Sequence, residues 1–104
     1  MNLERAFHGA MIGIYKDAKE QAGYNAALFL RMVSTLGGLE AARTLIRASR
    51  ASEGFTTLWK CHRLDITVEA VVLKPQFCPL FSEEELDAAR SRLTEYGYFP
   101  PMFP

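Results

Sequence analysis

The sequence predicts an all-α protein, a single compact bundle of five or six short helices. Apolar residues recur at three- and four-residue spacing through several segments, as on the buried face of an amphipathic helix. The five prolines fall outside those segments, and no two segments pair as neighbouring strands would. With 104 residues, 49% of them apolar, the chain is long enough for one core and too short for two.

The first predicted helix covers Leu3–Ala22, a stretch without proline, and Gly23 ends it. Its apolar positions repeat with helical spacing, at Phe7, Met11, Ile14, Tyr15, Ala18 and Ala22. A second helix is predicted to start after Asn25, whose side chain can cap it, and to stop at the pair Gly37 and Gly38.

The third predicted helix follows the glycine pair and ends before a polar loop at residues 49–54. Its apolar stripe consists of Leu39, Ala42, Leu45 and Ile46. A short fourth helix is predicted over residues 55–62, where Phe55 and Trp59 meet on one face. Both aromatic side chains are therefore expected in the core.

For the fifth element, the sequence is compatible with either a helix or a strand. Asp65 is placed to cap a helix, but residues 66–73 are rich in β-branched side chains, which favour strands. A helix ending before Pro75 is favoured because no partner strand exists. The last helix is predicted from a capping box formed by Ser82 and Glu85, and it ends near Tyr96 and Gly97.

These elements assign residues 1–98 to a single helical domain. Residues 99–104 form an apolar, proline-rich C-terminal tail, expected to pack on the same domain or on a neighbouring copy. No signal-peptide pattern opens the chain, two cysteines are too few for a disulfide framework, and no apolar run approaches membrane-spanning length. A cytoplasmic protein without a membrane partner is expected.

A local excess of positive charge is the main candidate site. In a chain with twelve basic and twelve acidic residues, residues 43–63 hold five basic side chains against a single acid, Glu53. The five are Arg43, Arg47, Arg50, Lys60 and Arg63. Helical spacing places the first three in a row that can bind phosphate groups or an acidic protein. The alternative is internal balance by residues 64–104, which hold three basic and seven acidic side chains.

No catalytic or metal-binding constellation is visible in the sequence. The only histidines and cysteines, His8, Cys61, His62 and Cys78, lack the spacing of metal ligands or of a nucleophile with its base. We therefore predict no enzyme activity, no metal site and no cofactor. Asp65 and Glu69 are interpreted as a structural polar cluster in which Arg63 is the expected partner of Glu69.

Five segments carry a resemblance to a known pattern: GYNA at residues 23–26, GGLEAA at residues 37–42, GFTTLW at residues 54–59, RLDITVEA at residues 63–70 and the closing residues 81–98. Together they resemble an uncharacterised family of short, all-helical bacterial domains that has no established activity. The likeness extends over most of the chain. It implies a small helical domain and adds no site residues.

The sequence thus favours a non-enzymatic helical interaction module whose basic flank contacts nucleic acid or an acidic protein. The alternative is a protein–protein or self-association module, such as a homodimer formed through the apolar C-terminal tail. Salt dependence separates the two, because phosphate contacts release counterions and weaken steeply with salt.

Overall fold

The computed structural model describes residues 2–99, which form six α-helices and no β-strand. The helices are α1 (Leu3–Ala22), α2 (Ala27–Leu36), α3 (Gly38–Arg47), α4 (Glu53–Lys60), α5 (Val68–Val72) and α6 (Glu83–Glu95). Short 3₁₀ turns occur at Leu64–Ile66 and Cys78–Leu80. The all-α prediction is confirmed. None of the six helices is both long and apolar enough to cross a bilayer. The predicted packing of the tail beyond Phe99 lies outside the described residues.

Local capping signals explain most helix starts. The predicted capping box of α6 is present: Ser82 Oγ accepts from the Glu85 N–H at 3.1 Å, and Glu85 Oε1 accepts from the Ser82 N–H at 2.9 Å. The predicted start of α4 was wrong. Ser52 Oγ accepts from the Phe55 N–H, so α4 begins at Glu53 within the predicted loop and ends at Lys60.

The predicted cap of α2 was also wrong. Asn25 Oδ1 accepts a hydrogen bond from the Tyr15 hydroxyl at 2.9 Å instead, so this side chain ties the α1–α2 connection to α1. Ala26 occupies the N-cap position of α2 and supplies no side-chain hydrogen bond. The Asn25 side chain, which local propensity assigned to capping α2, therefore makes a tertiary contact with Tyr15 instead.

The ambiguous segment after Asp65 is helical. A 3₁₀ turn at Leu64–Ile66 is followed by the five-residue helix α5, which Thr67 caps by accepting from the Ala70 N–H. Asp65 does not cap this helix. Four of the five α5 side chains are buried: Val68, Glu69, Val71 and Val72. Burial on almost all sides accounts for the β-branched composition, because packing here overrides intrinsic strand propensity.

Helix α3 lies at the centre of the fold and packs against α1, α2, α5 and α6. Phe7 of α1 is fully buried, and its ring meets the rings of Phe77 and Phe81 edge-to-face, with centroids 5.3 Å apart in each pair. Both partners belong to the connector between α5 and α6, residues 73–82. The connector is therefore anchored to α1 by aromatic packing.

The α2–α3 turn brings α3 unusually close to α1. Gly37 has φ +85°, a conformation that favours glycine. Gly38 begins α3, and its N–H donates to His8 Nδ1 at 2.9 Å. A Cβ atom at position 38 would lie 2.7 Å from the Cα of His8, closer than real Cβ contacts allow. The obstacle is backbone, so the two helices would have to separate.

We expect Gly38→Ala to lower the free energy of unfolding by about 1–3 kcal/mol, the usual cost of overpacking. Chemical denaturation measures the loss. Gly13→Ala is the matched control, since that helical glycine has open space around its Cβ position. The control is expected to gain about 0.5–1 kcal/mol from helix propensity. Equal stability of Gly38→Ala and the wild type would contradict the close approach of α1 and α3.

Candidate functional site

The first two arginines of the predicted basic flank, Arg43 and Arg47, form ion pairs with other residues of the same chain. Arg47 Nε donates to Glu85 Oε2 at 3.1 Å, and Arg43 Nε lies 3.5 Å from the same oxygen. Arg43 also donates to Glu40 Oε1 at 3.2 Å and to the Leu80 carbonyl at 3.0 Å. The charges of Arg43 and Arg47 are thus matched by two carboxylates, of which Glu85 belongs to the acidic residues 64–104 and Glu40 does not.

Glu85 is the centre of this arrangement, and its side chain is only 4% exposed. Burial raises the pKa of Glu85, but the Ser82 N–H and the positive charges of Arg43 and Arg47 outweigh burial, so the pKa lies below its ordinary value. Glu85 therefore remains a carboxylate. It caps α6 and joins α3 to α6 at the same time.

The five basic residues of the predicted flank do not meet as one cluster. Arg50 and Lys60 are exposed, and neither forms an ion pair within the described part of the chain. Arg63 donates to Asp65 at 3.0 Å and to Gln21 Oε1 of α1 at 2.6 Å. Arg43 and Arg47 face α6, whereas Arg63 faces α1.

The turn after α4 explains why Arg63 contacts Asp65 and Gln21 instead of lying beside Lys60. His62 has φ +59°, a left-handed conformation, and the Arg63 N–H donates back to the Leu58 carbonyl at 2.8 Å. Helix α4 therefore ends at Lys60 and does not include Arg63. The hydrogen bond from Arg63, with its positive charge, lowers the pKa of Asp65.

The predicted partnership of Arg63 with Glu69 was wrong. Glu69, 3% exposed, pairs with Arg92 of α6 at 3.0 Å, while Asp65 lies at the surface with Arg63. The predicted polar cluster of Asp65 and Glu69 is therefore two separate ion pairs. Burial raises the pKa of Glu69, and the hydrogen bond and charge of Arg92 oppose that rise.

Arg92 also ends α3. Its guanidinium donates to the Leu45 carbonyl at 3.0 Å and to the Ala48 carbonyl at 2.6 Å, at the C-terminal end of that helix. A cation at this position complements the helix dipole and satisfies carbonyls that lack helical partners. Sequence reasoning missed Arg92 because all three of its partners are distant along the chain.

An apolar groove of about 220 Å³ opens between α1, α2, α4 and α5. Its lining includes Ile14, Ala18, Tyr24, Ala26, Leu28, Phe29, Met32, Leu45, Gly54, Phe55, Leu58, Thr67 and Val68. Leu28 is 73% exposed. Glu53 and Glu69 also line the groove, and no basic side chain of the described residues does. Sequence analysis did not identify this groove, because its lining is spread over five helices and none supplies more than four residues.

Aromatic residues cover one side of α4. Tyr96 packs edge-to-face on Phe55, with ring centroids 4.9 Å apart, and on Trp59, with centroids 5.3 Å apart. Trp59 is 41% exposed, so its predicted place in the core was wrong. The end of α6 therefore lies beside α4, close to the groove that α4 also lines.

Comparisons with protein-family models, curated proteins and solved structures find no match to this chain. The resemblance to a family of short bacterial helical domains stays a prediction. Within residues 2–99, no three His, Cys, Asp or Glu side chains are grouped so that they could hold a metal ion.

Proposed function

We propose that this protein is a non-enzymatic interaction module whose apolar groove receives apolar side chains from a protein segment. The observation that carries the proposal is the groove itself, open to solvent and rimmed by Leu28. A surface leucine with most of its area in water gains about 1.5–3 kcal/mol when a partner covers it. The groove volume suits one or two large side chains, below the roughly 300–1,000 Å³ of pockets for drug-sized ligands.

The charges around the groove limit the charge that a bound partner segment can carry. Its two ionisable carboxyl groups belong to Glu53, which is exposed, and to Glu69, which is buried. Arg92 already balances Glu69, so an acidic or phosphate-bearing partner would meet the exposed charge of Glu53 without a compensating cation from the groove. We therefore favour an uncharged or cationic apolar segment, recognised by insertion of aromatic, leucine or methionine side chains.

The basic flank supports the competing nucleic-acid function less well. Arg43 and Arg47 are engaged with Glu85, which lowers the free positive charge of the row. Arg50 and Lys60 remain exposed, and they are the appropriate residues for testing phosphate contact. Reversing Arg43 would disturb the α3–α6 contact as well as any binding surface, so that change does not isolate binding.

The test is selection of displayed random peptides on the folded protein, followed by affinity measurement of the enriched sequences. We expect enrichment of apolar peptides whose affinity falls about tenfold or more with Leu28→Asp, because the rim loses an apolar contact and gains a charge. Leu36→Asp is the matched control: Leu36 is an exposed leucine on the same helix and does not line the groove. It should leave the affinity unchanged.

Two outcomes would overturn the groove proposal. The first is a set of enriched peptides that bind wild type and Leu28→Asp equally. The second is salt-sensitive retention of mixed oligonucleotides that Leu28→Asp leaves intact and Arg50→Glu with Lys60→Glu abolishes, which would assign the protein to nucleic acid.

A further inference from the structure

The groove has a polar end at the start of α4, where Tyr24, Ser52 and Glu53 join its lining. A Cβ atom on Gly54 would lie 3.8 Å from the Tyr24 hydroxyl oxygen and 3.9 Å from Ser52 Oγ, so both oxygens lie beside the same backbone position. Glu53 directly precedes that position in the chain, and its side chain is exposed. Polar groups from two separate parts of the fold therefore meet at one end of an otherwise apolar groove.

Two polar side chains of the groove remain available to a partner. Three of the five polar side chains in the lining form hydrogen bonds or an ion pair within the chain, those of Ser52, Thr67 and Glu69. The Glu53 carboxylate and the Tyr24 hydroxyl form no side-chain hydrogen bond or ion pair within residues 2–99. Glu53 and Tyr24 thus form a polar corner of the groove that lacks its own counter-charge.

The charge of Glu53 acts on the Tyr24 hydroxyl. Burial raises the pKa of Tyr24, and the negative charge of Glu53 raises it further. The phenol is therefore neutral at physiological pH, and its oxygen can accept a hydrogen bond. A cation at this corner would meet a carboxylate and a neutral acceptor together. Within the described residues, the groove lining has no basic side chain to compete with it.

We propose that the polar corner binds the cationic group of a lysine or arginine in the bound protein segment, beside the apolar side chain that the groove receives. This inference rests on the proposed function of the groove and names the charge of its partner. An unpaired carboxylate at the edge of an apolar surface is complementary to a side chain with an aliphatic stem and a charged tip. The stem can cover the apolar lining while the tip reaches Glu53.

The helix dipole also favours an acidic residue at the position of Glu53, and a second helix of the same fold provides the comparison. Ser82 and Glu83 begin α6 as Ser52 and Glu53 begin α4, with a capping serine followed by an exposed glutamate. Glu83 does not line the groove, whereas Glu53 does. Both glutamates should therefore have similar small effects on stability, but only Glu53 should affect binding.

The experiment selects displayed random peptides on the full chain and measures the affinity of the enriched peptides by calorimetry. We expect these peptides to combine an apolar side chain with a lysine or arginine. Replacing that basic residue with glutamine should lower the affinity about fivefold, and Glu53→Gln should cause the same loss for the original peptide. The two changes together should cost no more than either alone, because each removes the same contact. Glu83→Gln is the matched control and should leave the affinity unchanged.

A reversal of charge separates a direct pair from a general electrostatic effect. Glu53→Lys should weaken binding of the basic peptide by about tenfold or more. A peptide with glutamate in place of its basic residue should bind Glu53→Lys more tightly than it binds the wild type. Tyr24→Phe keeps the ring and removes the acceptor, so it should lower the affinity for the basic peptide about threefold. Circular dichroism checks that each variant retains its helical content.

The cation site and the groove function fail in distinguishable ways. If the enriched peptides depend on Leu28 but lack a basic residue, or bind Glu53→Gln and the wild type equally, the cation site is wrong and the groove function stands. If no peptide depends on either Leu28 or Glu53, both are wrong. Equal losses of affinity for Glu53→Gln and Glu83→Gln would also overturn the cation site, because a position outside the groove would then matter as much as one within it.

Two further measurements detect other occupants of the groove. Self-association of the full chain that Leu28→Asp abolishes, followed by analytical ultracentrifugation, would assign the groove to a second copy. A gain of about tenfold in peptide affinity for Phe103→Asp would assign it to the C-terminal residues of the same chain. Either result would overturn the inference, which requires a basic segment from another protein. We expect a monomer, and an affinity that Phe103→Asp leaves unchanged.

Discussion

Arg92→Leu is expected to lower the free energy of unfolding by about 3–5 kcal/mol, because it leaves the Glu69 carboxylate buried without its partner. The guanidinium donates to Glu69 and to the Leu45 and Ala48 carbonyls, and its side chain is only 12% exposed. One substitution therefore removes a buried ion pair and the cap of α3 together. Equilibrium denaturation with urea measures the change.

Arg90→Leu is the matched control. Arg90 lies on the same helix and pairs with Asp87 at 2.7 Å, but both side chains are more than half exposed. Exposed pairs of this kind contribute about 0–1 kcal/mol. A loss for Arg92→Leu no larger than that for Arg90→Leu would contradict the buried role of Arg92.

The pH dependence gives a second readout of the same change. Burial already raises the pKa of Glu69, and Arg92 opposes the rise, so Arg92→Leu should raise this pKa further. A carboxyl group whose pKa is raised on folding binds its proton more tightly in the folded state, so stability is lost as pH rises above the ordinary value. The destabilisation by Arg92→Leu should therefore be larger at neutral pH than in acid, where Glu69 is protonated.

A double variant divides the two roles of Arg92. Glu69→Leu combined with Arg92→Leu removes the unpaired carboxylate, and buried ion pairs can often be replaced by apolar side chains at little cost. We expect the double variant to recover much of the free energy of unfolding that Arg92→Leu loses. The part that is not recovered should correspond to the missing hydrogen bonds at the end of α3. Failure to recover would locate the whole effect in the carbonyl contacts.

The sequence predicts the helices whose ends depend on local chemistry. Helices α1 and α6 were predicted closely, since Gly23 ends α1 and Ser82 with Glu85 starts α6 through contacts within a few residues. Asn25 was assigned to a cap by the same reasoning, but Tyr15 uses its side chain oxygen instead. A local rule cannot weigh that competing tertiary contact.

The candidate site was harder to predict because its contacts are long-range. The sequence identifies the charge excess at Arg43 and Arg47, and it identifies Glu85 as a capping residue. That Glu85 also pairs with both arginines follows only from the packing of α3 on α6. Glu69 was recognised as a buried carboxylate in need of a partner, but the nearest arginine in sequence was the wrong choice. Spatial neighbours are set by the fold.

The aromatic centre of the core provides the last prediction, a loss of about 3–5 kcal/mol on Phe7→Ala. Phe7 has no exposed surface, and it contacts Phe77 and Phe81 of the connector through ring edges. Truncation leaves a cavity and also removes the anchor of the connector on α1. Leu36→Ala, at an exposed position, should change stability by about 0.5 kcal/mol or less.

Hydrogen exchange distinguishes loss of the anchor from general weakening of the core. The connector holds its own backbone bonds, from the Leu80 N–H to the Phe77 carbonyl and from the Phe81 N–H to the Cys78 carbonyl. If Phe7 anchors the connector, these two amides should lose more protection in Phe7→Ala than the amides of α6. A double-mutant cycle with Phe81→Ala should show a coupling of about 0.5–1.5 kcal/mol from the aromatic pair. Uniform loss of protection with no coupling would mean that the connector is held by general burial, and the edge-to-face contacts would have no separate role.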